Sequence, residues 1–154
     1  IYVGQYDFEK DIKGKYKLTY YRDTTYTTTR TLTATVKDST ITLSGMNLNL
    51  PYTFDEQTMS FVLETGSYAG KSGSDYIFTL LLDAKKEYNC NSMYGQLSHD
   101  ADGNVVVPFR SVYGGMEFST IGLVKLTDNT FDVTKFNGYY QTLYRPTLTR
   151  VVTK

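Results

Sequence analysis

From Thr27 to Val36, threonine recurs at alternate positions and the chain becomes apolar between them. One face of this run would carry Thr29, Thr31, Thr33 and Thr35, and the other Leu32, Ala34 and Val36. Successive side chains of a β-strand point to opposite faces, so this period of two is typical of a strand with one face in water and one in a core. Threonine suits the wet face, because its branched Cβ fits a pleated surface while its hydroxyl stays hydrated.

The same alternation recurs in short segments along the chain, and no sustained period of 3.6 residues indicates a long helix. We therefore predict an all-β, antiparallel β-barrel, with a β-sandwich as the alternative, and helix below about 10% of the chain. Its length of 154 residues favours a single domain over residues 1–154. The first five alternating segments should form a meander: residues 16–20, 27–36, 41–43, 48–54 and 59–63.

Alternation also predicts which apolar residues fill the core, because a slip of one residue would reverse a whole strand. Residues 76–82 are apolar at nearly every position and should form a central strand. The predicted core residues are Leu18, Leu32, Val36, Ile41, Leu43, Leu50, Phe61, Leu63, Phe78, Leu80, Leu123 and Leu126.

The chain holds fifteen tyrosines and eight phenylalanines but no tryptophan and a single histidine. Tyrosine combines a large apolar face with a polar tip, which suits sugar-stacking platforms and protein interfaces. Two glycine-rich or aperiodic stretches, Gly66–Gly73 and residues 83–95, are predicted as long loops. A ligand-binding site there would draw on Tyr68, Tyr88 and Tyr94. We also expect at least one exposed ring in each of three aromatic clusters: Tyr20-Tyr21, Tyr113-Gly114-Gly115 and Tyr139-Tyr140.

Charge and hydropathy exclude several kinds of partner. Sixteen basic and sixteen acidic residues cancel, without a block of like charge, so the electrostatic footprint of a nucleic-acid-binding protein is missing. No apolar stretch approaches the roughly 20 residues needed for a membrane-spanning helix. The lone Cys90 cannot form an intrachain disulfide and is expected to pack as a small hydrophobic residue.

Motifs for catalysis, metals or cofactors are weak. His99 is the only candidate base for a Ser-His-Asp or Cys-His site, but it precedes a turn sequence, Asp100–Asn104. That string resembles part of a calcium loop, yet it lacks the closing glutamate and favours a hairpin turn built on Asp-Gly. One cysteine and one histidine cannot form a structural zinc set, and Gly66–Ser72 has the wrong spacing for a phosphate loop. We expect no cofactor, no metal and no catalytic residue.

Gly14-Lys15-Tyr16 at the start of the first strong strand, Ser74-Asp75-Tyr76 before the central strand and arginines in the last strand resemble the lipocalin or calycin layout. With Ser44–Leu48 and Tyr52–Asp55, the pattern is similar to the calycin-like domains of Bacteroidetes lipoproteins. This resemblance implies a cell-envelope setting, periplasmic or extracellular, in which the protein is either secreted or lipid-anchored through an N-terminus upstream of Ile1. It also implies that Tyr16 meets Arg150, with the guanidinium across the ring.

These features lead to an expected function and two alternatives. The leading hypothesis is a non-catalytic, secreted or surface-tethered domain that binds a small apolar ligand, a glycan or an envelope protein. One alternative is an assembly subunit that uses strand edges as an interface, as an adhesin or pilus does. The other is a glycoside hydrolase-like enzyme with a carboxylate pair. Candidates for that pair are Glu64, Asp75, Glu87 and Glu117.

Overall fold

The computed structural model describes residues 2–152, and these form an antiparallel all-β protein, as predicted. Helix is confined to a π-helical turn at Phe8–Ile12 and a 3-10 turn at Val133–Lys135. The strands are β1 (Tyr2–Val3), β2 (Tyr6–Asp7), β3 (Gly14–Tyr21), β4 (Thr29–Val36), β5 (Thr40–Leu43), β6 (Leu48–Pro51), β7 (Thr53–Asp55), β8 (Ser60–Glu64), β9 (Tyr68–Ser72), β10 (Asp75–Leu82), β11 (Asn89–Cys90), β12 (Ser92–Gln96), β13 (Ser98–His99), β14 (Val105–Pro108), β15 (Ser111–Tyr113), β16 (Met116–Phe118), β17 (Thr120–Leu126) and β18 (Phe136–Arg150).

Eight of these strands form a nearly closed barrel of the calycin-like kind, in the order β9-β10-β17-β18-β3-β4-β5-β6. The long strand β18 connects several parts of the sheet. Its first half pairs with β17, and its second half pairs with β14 and β3. A bulge at Arg145-Pro146 marks the change of partner, where proline costs no ladder hydrogen bond. Strand β10 has partners on both sides, so its prediction as a central strand is confirmed.

The barrel approaches closure where β6 lies beside β9, and Gly70 explains why the two strands come so close. A Cβ at Gly70 would lie 3.0 Å from the Leu48 side chain and 3.2 Å from the Asn47 carbonyl oxygen. The prediction of a long loop at Gly66–Gly73 is therefore wrong. Ala69, Gly70 and Ser72 belong to strand β9, whereas Gly66 and Gly73 lie in the turns before and after it. Close packing of two backbones can require glycine as much as a turn does.

A second sheet of three strands, β7-β8-β12, lies apart from the barrel order. The predicted meander is therefore only partly correct: β3 to β6 follow it, but the run 48–54 breaks after Pro51. The Tyr52 backbone N–H instead donates to the Ser39 carbonyl oxygen at 3.0 Å. Residues 53–64 then form a hairpin that joins β12.

The stretch 83–95 is also less irregular than predicted, since only residues 83–88 form a turn and β11 and β12 follow. Strand β12 alternates like any other strand, with Met93 and Gly95 facing inward. Its period was hidden because one buried position is a glycine. A Cβ at Gly95 would lie 2.6 Å from the Phe109 ring and 2.7 Å from Val107, so only glycine fits there.

The barrel interior is filled with side chains in the part of the chain that the structure describes. One continuous core includes the fully buried Tyr16, Phe61 and Met93. Of the twelve predicted core residues, ten are buried, and Leu32 and Leu80 are half-buried. The threonine row faces outward as predicted, with Thr35 half-buried. A smaller cluster, Phe78, Val124 and Leu126, packs on the opposite face of β10 and β17, which is why residues 76–82 are apolar throughout.

Within residues 2–152, neither helical turn has the length and hydropathy needed to span a bilayer.

Candidate ligand-binding cleft

A barrel filled with side chains directs attention to its surface. One open cleft on that surface has a volume of about 530 Å³ and mainly apolar walls. One wall is the segment Tyr88–Ser92, which contains β11, and the other is the hairpin β15–β16. We call this concavity the tyrosine cleft.

Hydrogen bonds to the neighbouring strands position the two walls. Strand β11 pairs with the end of β10, where Leu81 faces Cys90. The hairpin β15–β16 begins at Ser111, beside β12. The Ser111 hydroxyl oxygen accepts a hydrogen bond from the Tyr94 backbone N–H at 2.9 Å. The tip of the hairpin is Gly114-Gly115, and both residues have positive φ, 58° and 80°. This is the chemistry of a tight two-residue hairpin turn, so the hairpin projects as a defined wall.

Exposed rings line the cleft. Tyr88 is 58% exposed and Tyr113 is 44% exposed, which are high values for large aromatic side chains. The Tyr113 hydroxyl donates to the Ser92 carbonyl oxygen at 2.7 Å, so this ring bridges the two walls. Met116 is also exposed, and the buried ring of Phe118 lies 6.0 Å from Tyr113, centroid to centroid. The cleft therefore has a partly preorganised apolar surface.

Cys90 also lines the cleft, but its thiol is poorly suited to attack a substrate. Its side chain is buried, as expected for a packed small hydrophobic residue, and the Sγ–H donates to the Ser92 carbonyl oxygen at 3.3 Å. Burial raises the pKa of the Cys90 thiol to about 11. Because the thiolate is the nucleophile, almost none of the reactive form exists at neutral pH.

The four carboxylates considered for a hydrolase lie on different elements. Glu64, at the end of β8, accepts a hydrogen bond from the Ser92 hydroxyl at 2.7 Å, and Asp75, at the start of β10, accepts one from Asn137 at 2.9 Å. Glu87 lies in the turn 83–88. Glu117, on β16, pairs with Arg110 at 2.5 Å, and hydrogen bonding from that guanidinium lowers the pKa of its carboxyl. Glu64, Asp75 and Glu117 thus each bind a different residue, and none of them pairs with another of the four carboxylates.

The three tyrosines predicted for the site do not come together. Tyr88 lies in the tyrosine cleft, but Tyr94 lies in a neighbouring depression that also includes Arg110. Tyr68 is exposed on β9 and packs against Tyr76 and Phe78, outside the barrel. Sequence reasoning did not assign Tyr113 to this site. The glycine pair Gly114-Gly115 beside Tyr113 predicted an exposed ring at this position. It did not predict that the ring would face the segment Tyr88–Ser92.

The remaining motifs have structural partners. The His99 ring stacks on Tyr6, with centroids 5.7 Å apart, and hydrogen-bonds to the Tyr6 hydroxyl. Asp100 accepts bonds from the backbone N–H groups of Asp102 and Asn104, which closes the hairpin between β13 and β14. The hairpin turn predicted here is confirmed. In residues 2–152, no three His, Cys, Asp or Glu side chains group in a way that could hold a metal ion.

Comparison of the chain with models of protein families, with curated proteins and with solved structures gave no significant match.

Proposed function

We propose that this chain is a non-catalytic binding domain and that the tyrosine cleft holds a glycan. The observation that carries the proposal is the pair of exposed rings, Tyr88 and Tyr113, on opposite walls of one open cleft. Large aromatic side chains usually bury their faces, so two exposed rings around one cleft favour a partner that covers them.

The chemistry of the cleft suits a sugar ring. The C–H face of a pyranose is apolar and matches an aromatic ring, whereas its edge carries hydroxyl groups that need hydrogen-bond partners. Asn89 and Asn91 line the same cleft, and their side-chain amides supply both donors and acceptors. A small apolar ligand would leave these polar groups unpaired, which is why we favour the glycan.

Two features support a role without catalysis. The Cys90 thiol stays protonated at neutral pH, and the Glu64 carboxylate beside the cleft accepts a bond from Ser92. A binding role also agrees with the cell-envelope setting, secreted or lipid-anchored, that the calycin resemblance implies. We propose that setting together with the function.

The test is a glycan-array screen of the full chain, followed by titration of any glycan that binds. We expect Tyr88→Ala and Tyr113→Ala each to weaken binding by about tenfold or more, because each removes one stacking wall. Tyr68→Ala is the matched control, since Tyr68 is similarly exposed at 47% but lies outside the cleft. A blank screen, or equal losses in all three variants, would rule out the tyrosine cleft as a glycan site.

A second candidate is assembly through strand edges, and one observation favours it. Residues 29–32 of β4 pair with β3 on one side, but in the described structure no strand pairs with their other side. An unpaired strand edge can add a strand from another chain. Sedimentation velocity over a range of concentrations tests this candidate. Thr29→Lys with Thr31→Lys should abolish any self-association, whereas Thr127→Lys, at an exposed site away from β4, should not.

A further inference from the structure

A second cleft, of about 380 Å³, lies beside the hairpin β15–β16 and is distinct from the tyrosine cleft. It includes Glu117, which alternates with the cleft-lining Met116 and Phe118 and so points to the opposite face of the hairpin. Two guanidinium groups border this cleft, those of Arg110 and Arg145, and its other walls include Tyr21 and Pro146. We call it the arginine cleft.

Arg145 and Tyr26 form a cation–π contact, and both have a left-handed backbone conformation. The Arg145 guanidinium carbon lies 3.5 Å from the centroid of the Tyr26 ring. Both residues have positive φ, 49° at Arg145 and 53° at Tyr26. For a bulky L-residue this left-handed conformation costs free energy that glycine or asparagine would largely avoid. The bulge in β18 explains the backbone geometry, but it does not explain why an arginine occupies it.

The stacked arrangement leaves the Arg145 N–H groups available. The Tyr26 ring covers one face of the guanidinium, whose hydrogen atoms point outward in the plane of the group. Among residues 2–152, no acceptor bonds the Arg145 side chain, and the residue is exposed. Arg110, in contrast, donates its Nε–H to Glu117. The Arg145 side chain is therefore oriented by stacking, and its guanidinium N–H groups have no acceptor among the described residues.

The charges around the cleft define the ligand that would fit. Arg110 and Arg145 contribute two positive charges, and Glu117, which lies near both, contributes one negative charge. The net charge of +1 matches a singly charged oxyanion better than a dianion. The volume exceeds that of a bare ion, and Tyr21 and Pro146 provide apolar wall for the body of a small molecule.

We propose that the arginine cleft binds a small monoanionic molecule through Arg145, with a carboxylate or sulfate ester on a body about the size of one sugar ring. Guanidinium pairs with either group through two parallel N–H···O bonds, and stacking on Tyr26 holds it ready for that contact. The proposal does not rest on glycan binding in the tyrosine cleft, because the two sites use different walls of the hairpin.

The experiment is an NMR titration of the isotopically labelled full chain with glucuronate, glucose 6-sulfate and neutral glucose, each up to about 10 mM. We expect one or both acidic sugars to shift resonances around Arg145 and Tyr26, more weakly at high salt, and glucose to leave them unchanged. Failure of both acidic sugars, or equal binding of glucose, overturns the proposal.

Arg145→Asn separates recognition from folding, because asparagine tolerates positive φ. We expect it to weaken binding of the acidic sugar by about tenfold or more while leaving the melting temperature unchanged or higher. Arg30→Asn is the control: it removes the same charge from an exposed position on β4 and should keep full affinity. If Arg145→Asn keeps full affinity for the acidic sugar, whatever its melting temperature, Arg145 has only a structural role and the proposal fails.

Discussion

Tyr16 and Arg150 face each other across strands β3 and β18, and both hold the π-helical turn that precedes β3. The Tyr16 hydroxyl donates to the Ile12 carbonyl oxygen at 2.5 Å. The Arg150 guanidinium donates through Nη2 to the carbonyl oxygens of Lys10 and Lys13, at 2.8 and 2.5 Å. Carbonyl groups at the end of a helical turn have no partner within it, so these two side chains satisfy them.

The pairing of Tyr16 with Arg150 was expected from the calycin resemblance, but the contact differs in kind. Burial raises the pKa of the Tyr16 hydroxyl, and the nearby Arg150 guanidinium partly opposes that effect. The two side chains donate to carbonyl groups of adjacent residues, Ile12 and Lys13. The cation–π contacts among the described residues involve Lys71, Lys86 and Arg145 instead.

Arg150→Lys should lower the free energy of unfolding by about 1–3 kcal/mol, because the lysine side chain is one bond shorter and its Nζ falls short of the position from which Nη2 donates to both carbonyl groups. Urea denaturation followed by circular dichroism measures the change. Arg30→Lys, on the exposed edge of β4, should change stability by less than about 0.5 kcal/mol. Equal midpoints for the two variants would contradict the structural role of Arg150.

Gly95→Ala should destabilise the fold by about 1–3 kcal/mol, since the new methyl group would overlap the Phe109 ring and Val107. The strain is local, so the double variant Gly95→Ala with Phe109→Leu should be less unstable than the sum of the two single variants. Thermal unfolding of all four proteins gives this comparison. Purely additive effects would show that the Phe109 ring does not limit the space at Gly95.

The Cys90 thiol should react slowly with iodoacetamide in the folded protein. Its pKa of about 11 reduces the thiolate fraction near pH 8 by roughly two orders of magnitude relative to a free thiol. The labelling rate should rise with each pH unit up to about 11, and unfolding in urea should restore ordinary reactivity. Mass spectrometry follows the reaction. Rapid labelling of the folded chain at neutral pH would mean that the thiol is not buried as described.

Stability should fall in acid in part because of Asp100, whose pKa is lowered mainly by the hydrogen bond from the Asn104 backbone N–H. A carboxyl whose folded pKa is depressed stabilises the fold above its unfolded pKa, and that contribution disappears as the pH falls through the folded value. We therefore expect the stabilisation by the Asp100 carboxylate to be lost as the pH falls below about 4. Asp100→Asn should reduce this pH dependence, as seen in urea midpoints between pH 6 and pH 2. Asp102→Asn should leave it unchanged, because the Asp102 carboxylate accepts no hydrogen bond within residues 2–152.

The alternation of threonine with apolar residues determined the class of fold and the faces of most strands. A period of two is a local property, and burial of one face of a sheet makes it visible along the chain. This is why Ile41, Leu43 and Phe61 were placed in the core correctly. Glycine broke the rule at Gly70 and Gly95, where packing of neighbouring backbones and rings, not a turn, requires the missing side chain.

What only the tertiary structure decided is which residues meet across distant strands. Tyr88 and Tyr113 are 25 positions apart, yet pairing of β11 with β10 and of β15 with β16 places their rings on one cleft. Arg145 and Tyr26 lie at opposite ends of the chain and stack only because β18 bulges beside the end of β3. A sequence records the period of each strand, which local sterics and burial impose. The order and register of strands depend on contacts between segments far apart in the chain. The two clefts form where that order brings distant loops and hairpins side by side.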